Sequence, residues 1–206
     1  MTPWKDRPWL LVDTETTGIG ADARIVELAM VTLHGGTVIQ DRHTRVNPGI
    51  SIPPEASAVH GITDADVREC PTMAQLAERC VVRARNHAVI VAYNAPFDMD
   101  RLCFEVPGWA GVLNEVPVLD VLPLMKVVDR FAKGKGRFRL GAVCERHGID
   151  LTNAHSAVAD ATAAGRLLWM FRDRLPDDAT EAWAQIVAWK SEQDAEYEAW
   201  KAKNSA

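Results

Sequence analysis

Apolar and polar residues follow two rhythms along this chain. The first third is strand-like: Leu10-Leu11-Val12 is continuously apolar and ends on Asp13, the pattern of a buried strand. Arg24 to Leu33 and Thr37 to Val46 flank the glycine turn His34-Gly35-Gly36 and predict two strands in an antiparallel start to a sheet. Pro48 to Pro54 predicts a loop. After Pro71 the rhythm lengthens, with Met73, Leu76, Ala77, Cys80 and Val81 at helical spacing, so a helix is expected over Thr72 to Arg85. Ala88 to Ala92 is uniformly apolar, as a strand covered on both faces is.

Further on, the pattern predicts a helix from Pro96 to Glu105, a loop with Pro107 and Gly108, and a short strand at Val118-Leu119-Asp120. Helices follow over Val121 to Phe131, Leu140 to His147 and Ser156 to Arg172. Strands first and alternation afterwards give an α/β class, a sheet with helices packed on it. The tail from Asp178 to Ala206 is charged and helix-prone, and places Trp183, Val187, Lys190, Asp194 and Tyr197 on one stripe with Ile186, Trp189 and Trp200 nearby. It reads as an amphipathic helix that either packs on its own domain or docks on a partner, a polymerase or a second copy. Residues 1–176 are expected to form one domain and 177–206 the helical appendage.

Composition narrows the picture. In 206 residues, 48% hydrophobic and 25% charged, no apolar run reaches the ~18 residues that a membrane helix requires, so no membrane partner is expected. The amino terminus lacks the apolar core of an export signal. Cys70, Cys80, Cys103 and Cys144 are widely spaced without a CxxC pair, which predicts reduced thiols in a cytoplasm. A net charge of −5 disfavours a phosphate partner, but Lys126, Arg130, Lys133, Lys135, Arg137 and Arg139 crowd a stretch whose only acid is Asp129. That stretch is either a local positive field or a solvated loop.

Three short elements carry candidate chemistry. Asp13-Thr14-Glu15 follows the first strand, and strand alternation puts both carboxylates on one face, where a hard divalent cation would relieve their repulsion. Asn94-Ala95-Pro96-Phe97-Asp98 ends the Ala88 strand and opens a helix. Asn153-Ala154-His155 leads into another helix with Asp160 about a turn further in, and a histidine can take a proton from water near neutrality. Each element alone has an ordinary reading: a polar strand end, a helix cap, a surface histidine. Asp13 to Gly18 is not a nucleotide loop of the GTPase kind, since no GxxxxGK[ST] is present.

Together and in this order, DxE, NxxFD and HxxxxD resemble the motifs of the DEDDh exonucleases, the DnaQ-like 3′-to-5′ family, over about Trp9 to Phe171. Ile25-Val26-Glu27-Leu28, Val59-His60-Gly61-Ile62 and Asp120-Val121-Leu122-Pro123-Leu124 agree with it. The resemblance implies an RNase H-like fold, a mixed central sheet with three antiparallel strands and then parallel strands, flanked by helices. It implies that Asp13, Glu15, Asp98 and Asp160 hold two Mg²⁺ or Mn²⁺ ions, with His155 as the base that deprotonates the attacking water. Thr14, Thr16, His60, Asn94 and Phe97 are expected around the last nucleotide. The substrate implied is a nucleic acid 3′ end, DNA in proofreading or repair or alternatively RNA in 3′-end trimming, released as nucleoside 5′-monophosphates. A non-catalytic module that docks on a polymerase is the reading from another class.

Overall fold

A computed structural model describes residues 2–152 and 154–204. Met1, Asn153 in the third motif, and Ser205 and Ala206 at the end of the tail lie outside the described residues. In chain order the elements are β1 (Trp9–Thr16), β2 (Ile25–His34), β3 (Thr37–Gln40), β4 (His43–Arg45), α1 (Pro54–His60), α2 (Asp64–Val67) and α3 (Met73–Arg85). Then come β5 (Ile90–Ala92), α4 (Pro96–Glu105), α5 (Trp109–Glu115), β6 (Val118–Asp120), α6 (Val121–Val128), α7 (Leu140–Arg146), α8 (Ala157–Phe171) and α9 (Ala179–Asn204).

One mixed sheet has the order β3-β2-β1-β5-β6, with β4 also on β2. β1 pairs antiparallel with β2 and parallel with β5, which is parallel to β6 in turn. This is the expected α/β architecture, and its antiparallel half precedes its parallel half. Because β1 lies inside the sheet, it is apolar on both faces, and alternate residues feed two cores. Trp9 and Leu11 join Ala29, Val31 and Val91 under α6, α7, α8 and α9. Leu10 and Val12 join Leu28, Met30 and Ile90 under α3, α4 and α5.

The α8 contact is unusually close because its inward residues are small. Ala157, Ala161, Ala164 and Gly165 are buried against the sheet, and a Cβ added at Gly165 would run into the Leu11 side chain. The alanine-rich composition of this helix is therefore a packing requirement, and it brings the first turn of α8 near the end of β1.

The expected strand from Thr37 to Val46 is two strands broken at Asp41 and Arg42. β2 is long enough to take β3 along Thr32–His34 and β4 along Glu27–Ala29. Two stretches without a helical signal nevertheless hold short helices. Pro54 opens α1 at a position where a missing N–H costs nothing. Gly108 does break the chain, at φ 89°, but the seven residues after it bury Trp109 and Val112 as α5. Such helices are too short to show a period.

The tail differs from expectation in the face it buries. Ala182 and Ile186 are buried, with Ala179 and Trp189 packed at their side, and Gln193 Nε2 donates to Pro123 O of α6 at 3.0 Å. Trp183, Val187 and Tyr197, read as the apolar stripe, are exposed. The pattern offers two apolar stripes, and the one formed by Ala182, Ile186 and Trp189 is the one packed on the domain. No described helix is long and apolar enough to cross a membrane.

Candidate active site

β1 delivers the first two carboxylates. Asp13 and Glu15 are two residues apart, so they share the face that Leu11 turns to α8. Across the sheet Glu15 faces Glu27 of β2, an acid opposite an acid, which a sheet tolerates only at a cost.

Asp98 comes from the first turn of α4 and is 2% exposed. Two donors of Thr14 hold it: the amide and the hydroxyl both donate to Asp98 Oδ1, at 2.8 and 2.7 Å. The turn between β5 and α4 is shaped by Asn94, whose φ of 63° lies in the left-handed region that asparagine tolerates better than most residues. Buried Asp120 fixes that turn, its Oδ1 accepting from the amides of Asn94 at 2.9 Å and Leu122 at 3.0 Å.

α8 supplies the rest. Asp160 sits in its first turn, and Oδ2 accepts from the His155 amide at 3.4 Å. Asp160 Oδ1 is buried with no hydrogen-bond partner among the described residues. His155 is exposed in the preceding loop with φ 67°. A ligand atom from each of Glu15, His155 and Asp160 lies within 4.8 Å of the others. The start of α8 is capped from the sheet: Glu27 Oε2 accepts from the Ala157 amide at 3.0 Å, while Ser156 makes no side-chain cap.

The electrostatics follow from this crowding. Burial, then Asp98, Asp160, Glu15 and Glu27, raises the Asp13 carboxyl well above the ordinary range. Burial and the neighbouring acids Asp160, Glu27 and Asp98 push Glu15 up to about 8. Asp98 is pushed up to about 7 by burial, against the lowering effect of its Thr14 bonds. Asp160 is raised by burial, offset in part by the His155 amide and side chain. Every neighbour acting on Asp13 and Glu15 is an acid. A cluster of this kind with an orphaned buried carboxylate oxygen fits hard divalent cations, which bind oxygen ligands and would supply the absent positive charge.

The residues expected around a terminal nucleotide are distributed unevenly. His60 ends α1 and is half-buried near the Thr16 backbone, Glu27 and His155, so it joins the site's rim. Its Nδ1 accepts from the Ile62 amide at 3.0 Å, its Nε2 is buried with no partner among the described residues, and burial lowers its pKa. Phe97 is half-buried beside Asp98, its amide donating to Asn94 O at 3.1 Å. Thr14 is committed to Asp98, and the Thr16 hydroxyl donates to Gly18 O at 2.7 Å, so both threonines are braces of the site. Glu27 and Asp120 were not singled out from sequence as site residues. Their signal was faint: Glu27 is one acid on an apolar strand, and Asp120 reads as an ordinary helix cap.

Residues 10–168 match the family model RNase_T, described as Exonuclease. A DNA polymerase III subunit epsilon-like protein of Rhodobacter capsulatus is 37% identical over 169 residues, which are 79% of this chain and 23% of that protein. A DNA polymerase III PolC-type of Halalkalibacterium halodurans is 33% identical over 182 residues, 87% of this chain and 12% of that protein. The chain thus spans less than a quarter of the length of these curated relatives. Among solved structures, exonuclease X in complex with 5′ overhanging duplex DNA is similar with a TM-score of 0.67 and 24% identity, covering 86% of this chain and 98% of that one. E. coli exonuclease I in complex with a dT13 oligonucleotide has a TM-score of 0.69 and 22% identity, covering 81% of this chain and 41% of that one. These structures share the RNase H-like fold described above.

Proposed function

The chain belongs to the RNase_T exonuclease family of DnaQ-like domains, and from that premise we propose that it is a metal-dependent 3′-to-5′ exonuclease acting on DNA. The observation that carries this reading is the gathering of Asp13, Glu15, Asp98 and Asp160 at one end of β1, with His155 at its open side. Asp13, Glu15, Asp98 and Asp160 would hold two divalent cations, Mg²⁺ or Mn²⁺, whose chemistry when bound is to acidify a water and polarise the phosphate. His155 accepts the water's proton on the imidazole nitrogen nearest Glu15 and Asp160 and, being exposed, passes it to solvent. The water oxygen bonds to phosphorus as the bond to the 3′ oxygen breaks, and that oxygen takes a proton from solvent, leaving a nucleoside 5′-monophosphate and a strand one unit shorter that ends in a 3′ hydroxyl. Asn94, Phe97 and His60 border the terminal nucleotide, while Thr14 and Thr16 hold the walls.

DNA is supported by the polymerase III relatives, whose names also support association with a replication polymerase. We assign that contact to the exposed side of α9, which carries Trp183, Val187, Tyr197 and Trp200. The four cysteines are free, which supports a reducing cytoplasm. The test is digestion of matched 5′-labelled single strands of DNA and RNA with Mg²⁺, Mn²⁺ or EDTA. A metal-dependent ladder that shortens from the 3′ end, faster on DNA, is expected. Faster loss of RNA would change the substrate, and intact strands of both kinds would overturn the reading.

A further inference from the structure

Between α6 and α7 the chain makes a loop whose charges are unmatched. From Arg130 to Cys144 there is no acid, while Lys133, Lys135, Arg137 and Arg139 are all exposed. Among the described residues, none of these four forms an ion pair. Lys126 and Arg130, at the base, are a different case: they line a groove together with the acids Glu192 and Glu196 of α9.

The loop is pinned at both ends. At one end Asp129 accepts from Arg146 Nη2 at 2.7 Å, and its other oxygen lies 3.0 Å from His147 Nε2. At the other, Tyr93 Oη donates to Phe138 O at 2.6 Å. Tyr93 immediately precedes Asn94, so the basic loop is fastened to the same turn that delivers Asp98. Between these anchors Gly134 and Gly136 have φ of 97° and 75°, conformations that a side chain would strain. Phe131 stands 79% exposed, with the Arg130 guanidinium over its ring at 4.6 Å from the centroid.

A solvent-exposed aromatic face in one loop with four cations that form no ion pair has the composition of a single-strand platform. Cations track the phosphates and the ring stacks on a base. A duplex offers no free base face, and an acidic protein would satisfy the cations but not the ring.

We propose that the loop from Phe131 to Arg139 binds the single strand upstream of the terminal nucleotide, with Lys133, Lys135, Arg137 and Arg139 on phosphates and Phe131 stacked on a base. This rests on the exonuclease reading only in taking the strand's 3′ end to lie at the carboxylates. In a protein of net charge −5 the loop supplies a local positive field beside the turn that delivers Asp98.

The test is binding rather than cleavage, measured by fluorescence anisotropy in EDTA with labelled single-stranded DNA of about 4 and about 20 nucleotides. The combined Lys133→Gln, Lys135→Gln, Arg137→Gln and Arg139→Gln variant should melt like the wild type. It should bind the longer strand about tenfold or more weakly, with a salt dependence shallower by about 3 in log–log slope. Phe131→Leu, which keeps the apolar surface and loses the stack, should weaken the longer strand about fivefold or more. Wild-type affinity and slope in the four-charge variant would overturn the proposal, as would equal binding of a blunt duplex or of polyglutamate. Strand binding that depends on the loop in a protein that cuts nothing would instead overturn the exonuclease reading and leave this one standing.

Discussion

Thr14 and Asp98 are 84 residues apart in the chain and are joined twice, the Thr14 amide and hydroxyl both donating to the same carboxylate oxygen. The pair locks the first turn of α4 to the end of β1, so two of the three sequence motifs keep a fixed spacing. It also restrains the Asp98 pKa, which burial alone would raise further.

Thr14→Val keeps the amide bond and removes the hydroxyl. A buried bond to a charged group is worth about 1.5–3 kcal/mol, so the variant is expected to lose stability of that order in the metal-bound protein. Without metal, Asp98 should titrate above about 7 once the hydroxyl is gone. Carboxyl titration by NMR in EDTA for both proteins checks this; coincident curves would show that the bond does not tune Asp98.

The acid cluster makes stability without metal depend on pH in a direction opposite to that of paired carboxylates. Glu15 near 8, Asp98 near 7 and the raised Asp13 all exceed their unfolded values. Between the unfolded and folded pKa the native state holds more protons, so stability is present at low pH and is lost as pH rises through the folded values. In EDTA the melting temperature should fall by several degrees from about pH 5 to about pH 9, and Mg²⁺ should recover most of the loss at the alkaline end. A melting temperature that rises over this range would contradict the shared-charge account.

Glu27 does two things, which two substitutions separate. It caps α8 through the Ala157 amide and raises Glu15 by its charge. Glu27→Gln keeps the acceptor and drops the charge, and should bring the Glu15 pKa down with little loss of stability. Glu27→Ala should cost about 1 kcal/mol, the usual penalty for a lost cap, and disturb the helix start that carries Asp160. Calorimetric melting of the two variants distinguishes the roles.

His155 sits at φ 67°, which asparagine accepts and most residues resist. His155→Asn should therefore preserve the loop, retain metal binding and lower the rate by about 10²–10⁴, the range of a lost general base. A rate within a few-fold of wild type would remove His155 from proton transfer. Gly165→Ala is the matching test of the scaffold: its methyl meets Leu11, so about 1–3 kcal/mol of stability should be lost, with activity falling because Asp160 is on the same helix.

The carboxylates were picked out in sequence by the resemblance of DxE, NxxFD and HxxxxD taken together and in order, because alone Asp13 and Glu15 read as a polar strand end and Asp98 and Asp160 as ordinary residues of a helix's first turn. The periods predicted the antiparallel start and the α/β class, and the resemblance the mixed sheet, whereas the order β3-β2-β1-β5-β6 depends on pairings between distant segments that no local period records. Glu27 was not legible as a cap because its partner lies 130 residues away, and chain distance leaves no local trace. Asp120 was hidden for a related reason, its Leu122 bond being local and its Asn94 bond long-range. The buried face of α9 was not decided by sequence because the Trp183 and Val187 stripe lies beside Ile186 and Trp189, and only the packing on the domain shows that Ala182 and Ile186 are the ones covered.

The measurement closest to the central claim is the chromatographic identity of what is released from single-stranded DNA by the wild type and by Asp13→Asn, each with Mg²⁺ and with EDTA. Nucleoside 5′-monophosphates from the wild type in Mg²⁺ alone, and none from Asp13→Asn despite a melting temperature in EDTA about 2–4 °C higher for each kcal/mol of repulsion relieved, is the expected result. Nucleoside 3′-monophosphates, release in EDTA, or an Asp13→Asn protein that still cuts would contradict a metal-bound carboxylate site as the source of the chemistry.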